Sequence, residues 1–261
     1  MTTATIDPAA RRVPPLGGFN RTVLGIELKR VLRNRRTIFF TLVFPAALFL
    51  SFGSTAGWDD RAGHGNVAAY IMVSMALYGA ALTAAAAGAM VAMERAMGWS
   101  RQLRLTPLSP VVYILVKAIV AVVMGAVAVA VVNLVGIAQG KPDMPAGRWV
   151  ACAVLGVLCT MVFAALGVFV GYLVPGENAM QLLGPGLAIL SFLGNVFIPI
   201  DDHTSLIWHI AQWTPMFGVA EVTRSPLTGD LPWYAVVNAV GWLAVFVVGA
   251  AWRMSKDTAR V

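Results

Sequence analysis

Long apolar runs constrain this chain more than any other feature of its sequence. A helix needs roughly 20 apolar residues to cross a bilayer, and stretches of that length recur between residues 37 and 252. The six predicted spans run near Thr37–Gly57, Val67–Met93, Pro110–Ala138, Trp149–Val174, Ala179–Ile200 and Trp233–Trp252. Because backbone groups in lipid must be hydrogen-bonded within their own segment, these runs predict an all-α membrane protein with six transmembrane helices.

The composition excludes several other classes of protein. Hydrophobic residues make up 59% of the 261 residues and charged residues only 12%. Soluble domains are about 45–50% apolar and about 25% charged. An ordinary soluble enzyme and a disordered chain are therefore excluded. Despite the net charge of +7, we expect no nucleic-acid partner.

The distribution of basic residues predicts the orientation in the membrane. With the N-terminus inside, the inner segments contain 14 Lys and Arg and the outer segments contain four. An excess of Lys and Arg is typical of cytoplasmic loops, so both termini are predicted to be cytoplasmic. Lys117 lies a few residues into the third span, and we expect its side chain to snorkel to the inner side.

The predicted spans lack the residues that membrane-embedded catalysis or ion-driven transport would require. Apart from Lys117 they contain no clearly placed ionisable residue, and the three histidines fall in predicted outer loops. Such residues at membrane depth usually mark an ion or proton site. The closest approach to a phosphate-binding loop, residues 136–141, has the wrong spacing and is followed by Pro142. We therefore predict no enzyme and no metal site, and any uphill transport would need a cytoplasmic partner.

Residues 19–36 have the pattern of an amphipathic helix at the membrane interface. The apolar residues recur at helical spacing, and charged residues fill the other face. The apolar set is Phe19, Val23, Leu24, Leu28, Val31 and Leu32, and the charged set is Glu27, Lys29, Arg30, Arg33 and Arg35. A basic face of this kind meets anionic headgroups. The helix either enforces the topology alone or also binds a partner.

The segment between the second and third spans predicts a second contact element. A helix from Glu94 to Leu105 would end before Pro107, because the residue before proline disfavours helical geometry. A simple topogenic loop needs a few positive charges and a turn, not a helix of this length. A membrane anchor or sensor without transport would not need it either. We interpret the segment as a docking helix on the cytoplasmic side.

Two motifs in the sequence resemble the ABC-2 type permeases, the membrane subunits of ATP-driven exporters. The first is Glu94-Arg95, Gly98, Arg101-Gln102-Leu103 and Thr106-Pro107-Leu108-Ser109. The second is the run Leu190–Ile200 followed by Trp213-Thr214-Pro215 and Glu221-Val222-Thr223-Arg224. Together with six spans, the resemblance covers nearly the whole chain, and among these families the daunorubicin-resistance type of drug exporter is the most similar.

The resemblance implies a non-catalytic permease that works with other subunits in a bacterial inner membrane. Two permeases, either two copies of this chain or a copy and a close paralogue, would bind two copies of a cytoplasmic ATPase that holds ATP and Mg. This chain itself would hold no cofactor, and membrane lipid would surround it. The implied ATPase-coupling residues are Glu94, Arg95, Gly98, Trp99, Arg101, Gln102, Leu103, Arg104, Thr106 and Pro107. The implied interface-helix residues are Leu24, Glu27, Leu28, Arg30 and Arg33.

The resemblance also implies a dimer seam around the first and fifth spans and an apolar gate beside it. The candidate residues for the substrate path or gate are Phe49, Phe52, Phe192, Asn195, Val196, Phe197 and Pro199. The apolar lining predicts an amphiphilic or hydrophobic small molecule, as in multidrug export or antibiotic resistance. Export of a lipid-linked glycan or another polymer is the alternative.

Three further expectations concern packing and boundaries. The pairs Gly167-x-x-x-Gly171 and Gly88-x-x-x-Ala92 permit close helix approach, within one chain or, as the less favoured alternative, across a dimer. Residues 201–231 are expected to form short re-entrant helices on the outer side. The predicted divisions are a cytoplasmic tail with interface helix at 1–36, a transmembrane domain at 37–252 and a cytoplasmic tail at 253–261.

Overall fold

A computed structural model describes residues 15–39, 43–52, 57–98, 108–176, 178–200, 202 and 204–258, and these are mostly helical. A short 3₁₀ helix at Pro15–Gly18 comes first, and a two-residue hairpin pairs β1 (Arg61–Ala62) with β2 (Gly65–Asn66). The helices are α1 (Arg21–Leu32), α2 (Arg35–Ile38), α3 (Phe44–Phe52), α4 (Val67–Ala96), α5 (Pro110–Gln139), α6 (Ala146–Leu173), α7 (Asn178–Leu193), α8 (Leu206–Ala211), α9 (Pro215–Thr228) and α10 (Trp233–Thr258).

Side-chain caps fix where several of these helices begin. Asn66 precedes α4 and its Oδ1 accepts a hydrogen bond from the Ala69 amide at 2.9 Å. Ser109 and Thr214 do the same for α5 and α9, each directly before a proline in the first turn. Proline is favoured there because its missing N–H would be unpaired in any case.

Four helices of the described residues are long and apolar enough to cross a membrane: α4, α5, α6 and α10. Each overlaps a predicted span almost completely. α4 is the central helix of the bundle, with most of its side chains buried against α5 and α6. α10 packs mainly on α6 and α9. The chain is therefore a helical multi-pass membrane protein.

α4 and α6 approach each other so closely that glycine is required at the contact. A Cβ added at Gly167 would lie 2.1 Å from the Ala85 carbonyl oxygen. A Cβ at Gly88 would lie 2.5 Å from the Ala164 carbonyl oxygen. Both small-residue pairs therefore serve packing within one chain, which confirms the favoured of the two interpretations.

The first and fifth predicted spans differ from the observed helices. In the first, α3 covers Phe44–Phe52 and residues 40–42 and 53–56 lie outside the described ranges. In the fifth, the helix runs through Pro185 and ends at Leu193 instead of Ile200. Asn195 follows with a φ of 62°, a left-handed conformation that cannot continue a helix. The prediction of one helix over 179–200 is therefore wrong at its C-terminal end.

The predicted helix from Glu94 to Leu105 is also wrong at its start. α4 continues through Ala96, so Glu94 and Arg95 belong to its last turn. Gly98 then adopts a φ of 73°, and left-handed glycine directly after a helix is a common terminator. The remaining predicted coupling residues lie outside the described residues: Trp99, Arg101, Gln102, Leu103, Arg104, Thr106 and Pro107.

Candidate functional site

α1 lies against the side of the bundle and contributes both apolar and charged side chains to it. Val31 is 1% exposed and packs with Leu24 and Leu28 against Val120 and Met124 of α5. Glu27 is buried on the same face as Val31, because residues four apart lie above one another on a helix. The expectation that Glu27 lies on the charged face, opposite the apolar residues, is therefore wrong.

Five side chains from α1, α4 and α5 form a polar group that we call the Lys117 cluster: Glu27, Arg30, Glu94, Tyr113 and Lys117. Lys117 Nζ donates to Glu27 Oε2 at 2.6 Å and to Glu94 Oε1 at 2.5 Å. Arg30 and Tyr113 each donate a further hydrogen bond to the Glu94 carboxylate. Two carboxylates face two cations, so the cluster is formally neutral.

Burial makes the pairing in the Lys117 cluster obligatory. The side chains of Lys117 and Glu94 are only 3% and 2% exposed, so Lys117 does not snorkel to an aqueous interface as expected. Arg30 is the partly exposed member at 39%. Burial disfavours its charge, but the attraction of Glu94 and Glu27 outweighs this effect and raises the pKa of Arg30 above its ordinary value. Leaving one buried charge without its partner would be strongly destabilising.

Both described charged residues of the predicted coupling motif bind other helices of the protein, Glu94 as a buried residue and Arg95 as a half-buried one. Glu94 belongs to the Lys117 cluster. Arg95 donates to the carbonyl oxygens of Gly171 and Tyr172 at 3.1 and 3.3 Å, at the C-terminal end of α6. A cation at the end of a helix interacts favourably with the unpaired carbonyls there. Both residues therefore connect the end of α4 to neighbouring helices, and their predicted role in ATPase coupling stays a prediction.

The opposite end of the bundle contains a second buried polar group, which we call the Arg224 cluster: Tyr70, Asn195, Glu221 and Arg224. Arg224 is 1% exposed, although the sequence placed it in an outer loop. Its guanidinium donates to the Asn195 carbonyl oxygen and to Glu221 Oε1, both at 2.7 Å, and to the Tyr70 hydroxyl. The Asn195 side chain in turn donates to Glu221 Oε1 at 3.0 Å.

Four aromatic rings meet beside the Arg224 cluster and form what we call the aromatic cluster: Phe52, Tyr78, Phe192 and Phe197. The Phe197 ring centroid lies 4.6 Å from Tyr78, 4.9 Å from Phe192 and 5.8 Å from Phe52. Three of these residues come from the set predicted to form the gate.

The other predicted gate residues occupy different environments. Val196 is 2% exposed and lies in the main core, and Pro199 is exposed. Phe49 is fully buried and stacks on Trp58 at 6.0 Å, in a core cluster that Phe52 and Phe197 also pack against. Asn195 is 6% exposed and uses its side chain to bind the protein itself, with Oδ1 accepting from the Ile200 amide at 2.9 Å. The structure brings the rings of Phe52, Phe192 and Phe197 together, whereas Phe49 stacks on a different ring and Pro199 is exposed.

The ion pairs of the two polar clusters were not predicted, although the sequence around each cluster contains one pattern that indicates an ion pair. A lysine inside an apolar run requires a counter-charge, and this requirement could have connected Lys117 to a nearby glutamate. The spacing of Glu221 and Arg224 places both on one face of a helix, which is typical of an ion pair. Tyr70 and Asn195 gave no such signal, because their contacts join segments far apart in the sequence.

Apolar helices of spanning length around two buried polar clusters define a multi-pass membrane protein. Residues 20–228 match the ABC-2 type transporter family, and the chain belongs to this family. This match confirms the resemblance that the motifs indicated, and it includes α1 to α9. A protein of Bacillus subtilis (strain 168) named "Putative transport permease YvfS" is 23% identical over 240 residues, which cover 89% of this chain and 96% of that protein.

Proposed function

We propose that this chain is the membrane subunit of an exporter that moves an amphiphilic or hydrophobic small molecule out of the cytoplasm or inner leaflet. ABC-2 type permeases in general work with an ABC ATPase. In this proposal two permeases bind two copies of the ATPase, which holds ATP and Mg. Each permease has six spans with both termini in the cytoplasm, where residues 99–107 form the coupling contact.

The observation that carries the proposal is the position of the Lys117 cluster between the two elements expected to contact the ATPase. α1 supplies Glu27, and the last turn of α4, directly before residues 99–107, supplies Glu94. Because both carboxylates bind one ammonium group, α1 and the end of α4 are held together. A displacement of either element by the ATPase would therefore be transmitted to α5 through Lys117.

The aromatic cluster supports the proposed class of cargo. Its rings carry no formal charge, and the nearest cation, Arg224, already binds acceptors of the protein. A charged cargo would lose its hydration there without gaining a counter-ion, which is costly in an apolar environment. An amphiphilic or hydrophobic molecule meets no such cost.

The ATPase partner can be tested by purifying the tagged chain from its native membranes in mild detergent and identifying the accompanying proteins by mass spectrometry. We expect a near-stoichiometric soluble subunit that carries a G-x-x-x-x-G-K-[ST] loop, because this chain has no such loop. Recovery of the permease alone, even after cross-linking, would contradict the proposal.

Reversing two charges of the predicted coupling segment tests where the ATPase binds. We expect Arg101→Glu with Arg104→Glu to weaken ATPase binding by about 2 kcal/mol, roughly thirtyfold, because like charges would then face the partner surface. The measurements are co-purification of the ATPase and its stimulation by cargo. The control is Arg253→Glu with Lys256→Glu, which makes the same charge change near the end of α10. It should leave co-purification and cargo stimulation of the ATPase unchanged. Equal effects of the two double variants would argue against a specific coupling contact.

A further inference from the structure

We propose that Arg224 and Glu221 are positioning residues that hold the Asn195 turn, and through it the aromatic cluster, in a closed arrangement. The inference rests on the proposed transport function, because it assigns these residues to the control of the cargo path. α9 supplies both charged residues, and the turn that follows α7 supplies Asn195. The proposal therefore concerns the contact between α9 and the end of α7.

The Asn195 backbone is the part of the structure that needs support. Its φ of 62° is uncommon for a residue with a side chain, and asparagine tolerates it better than most. The conformation reverses the chain after α7, so that the amides of Val196 and Phe197 both donate to the Ser191 carbonyl, at 3.1 and 3.3 Å. The side chain of Asn195 closes the turn by accepting from the Ile200 amide.

Arg224 and Glu221 hold this turn from two sides. The Arg224 guanidinium binds the Asn195 carbonyl oxygen, and the Glu221 carboxylate accepts from the Asn195 side-chain amide. Since Arg224 also binds Glu221 at 2.7 Å, the three groups form a closed ring of hydrogen bonds. Hydrogen bonds that involve ionised groups are about twice as strong as neutral ones. The turn is therefore held by charge and not by apolar packing alone.

The geometry of the aromatic cluster depends on this turn. Phe192 lies three residues before Asn195 and Phe197 two residues after it, and their ring centroids are 4.9 Å apart. The turn thus folds Phe197 back between Phe192 and Tyr78, at 4.6 Å from the Tyr78 ring. If the turn opened, Phe197 would leave these rings, and the buried Val196 beside it would become accessible.

The Arg224 cluster also has properties expected of a group that changes between two sets of hydrogen bonds. Well-packed apolar residues at these positions would give the protein a similar free energy of unfolding, since buried ion pairs rarely stabilise a protein more than such residues do. Arg224 Nε has no hydrogen-bond partner among the described residues, so one donor remains for a different set of contacts. Packed elements of this kind change between discrete arrangements and not by gradual deformation.

The test measures how fast a thiol at position 196 reacts with a maleimide in the full chain purified in detergent. The background is Val196→Cys with Cys152→Ala and Cys159→Ala, which leaves one thiol at a position that is 2% exposed. We expect Arg224→Gln to raise the labelling rate about tenfold, the size expected when one charge-assisted hydrogen bond is lost. Arg224→Lys, which keeps the charge, should restore part of the protection.

Two further variants separate positioning from general destabilisation. Asn195→Gly accepts the positive φ without strain but removes both side-chain hydrogen bonds, so it should raise the labelling rate while the chain stays folded. Arg148→Gln is the matched control, because Arg148 binds the Pro226 carbonyl oxygen of α9 at 2.5 Å without touching the Asn195 turn. It should leave the labelling rate unchanged.

Unchanged labelling in both Arg224→Gln and Asn195→Gly, with the chain folded, would overturn the proposal. Faster labelling in Arg148→Gln to the same extent would also overturn it, because the effect would then reflect loosening of α9. None of these measurements requires an ATPase. Failure to find the partner would therefore count against the proposed function and not against this inference.

Discussion

Lys117→Met is expected to destabilise the protein by about 3–5 kcal/mol, because it removes the buried cation and leaves the Glu27 and Glu94 carboxylates only the partly exposed Arg30. The methionine fills a similar volume, so the loss is electrostatic and does not come from a cavity. The measurement is the thermal unfolding midpoint of the detergent-purified chain, together with the yield of folded protein from membranes.

Lys141→Met is the matched control for this prediction. Lys141 is exposed, and its ammonium group lies 4.5 Å from the centroid of the Trp58 ring. Loss of such an exposed cation–π contact should cost only about 0.5–1 kcal/mol. Adding Glu27→Gln and Glu94→Gln to Lys117→Met should recover part of the stability, because the buried charges are then removed. Similar midpoints for the two lysine variants would show that Lys117 is not held as the structure indicates.

Gly167→Ala should have the second largest effect, because the new methyl group would lie 2.1 Å from the Ala85 carbonyl oxygen. Backbone atoms cannot rotate away as a side chain can, so α4 and α6 must separate along their whole contact. Overpacking of this kind costs about 1–3 kcal/mol and occasionally more. We expect a lower thermal midpoint and a reduced yield of folded protein.

The same substitution at Gly241 should act in the opposite direction. Gly241 lies in the interior of α10, and beyond its chain neighbours and the backbone of its own helix no atom lies within 4 Å of the position that its Cβ would occupy. Alanine there should stabilise the helix by about 0.5–1 kcal/mol, because glycine loses more conformational freedom on folding. Equal shifts of the thermal unfolding midpoint in Gly167→Ala and Gly241→Ala would contradict the close contact between α4 and α6.

The long helices could be predicted from the sequence because one property determines them. An apolar run of more than 20 residues forms a helix in lipid, because its backbone groups must be hydrogen-bonded within their own segment. The end of α7 could not be predicted in this way. Val196–Ile200 is as apolar as the helix before it, and the turn at Asn195 depends on Arg224, which lies 29 residues further along the chain.

The polar clusters were harder to predict, for a different reason. Periodicity assigns Glu27 to a charged face, but the buried Lys117 on another helix determines which face is inside. Likewise, the prediction of short helices in residues 201–231 did not include a buried charge there, whereas Arg224 is buried within α9. Amphipathic patterns describe an average preference for water, and a single strong pair between distant helices can outweigh that preference.

The Lys117 cluster also has a consequence for the order in which the protein is made. Ribosomes complete Glu27 and Arg30 first, then Glu94 and finally Lys117, so both carboxylates are synthesised before the buried ammonium group that they share. A charged residue placed in the apolar part of a bilayer costs about 2.5–3.5 kcal/mol on insertion scales. α4 should therefore remain at the insertion machinery until α5 arrives, and the two helices should enter the lipid as a pair. Only then does α1 gain the binding partner that fixes it to the membrane domain.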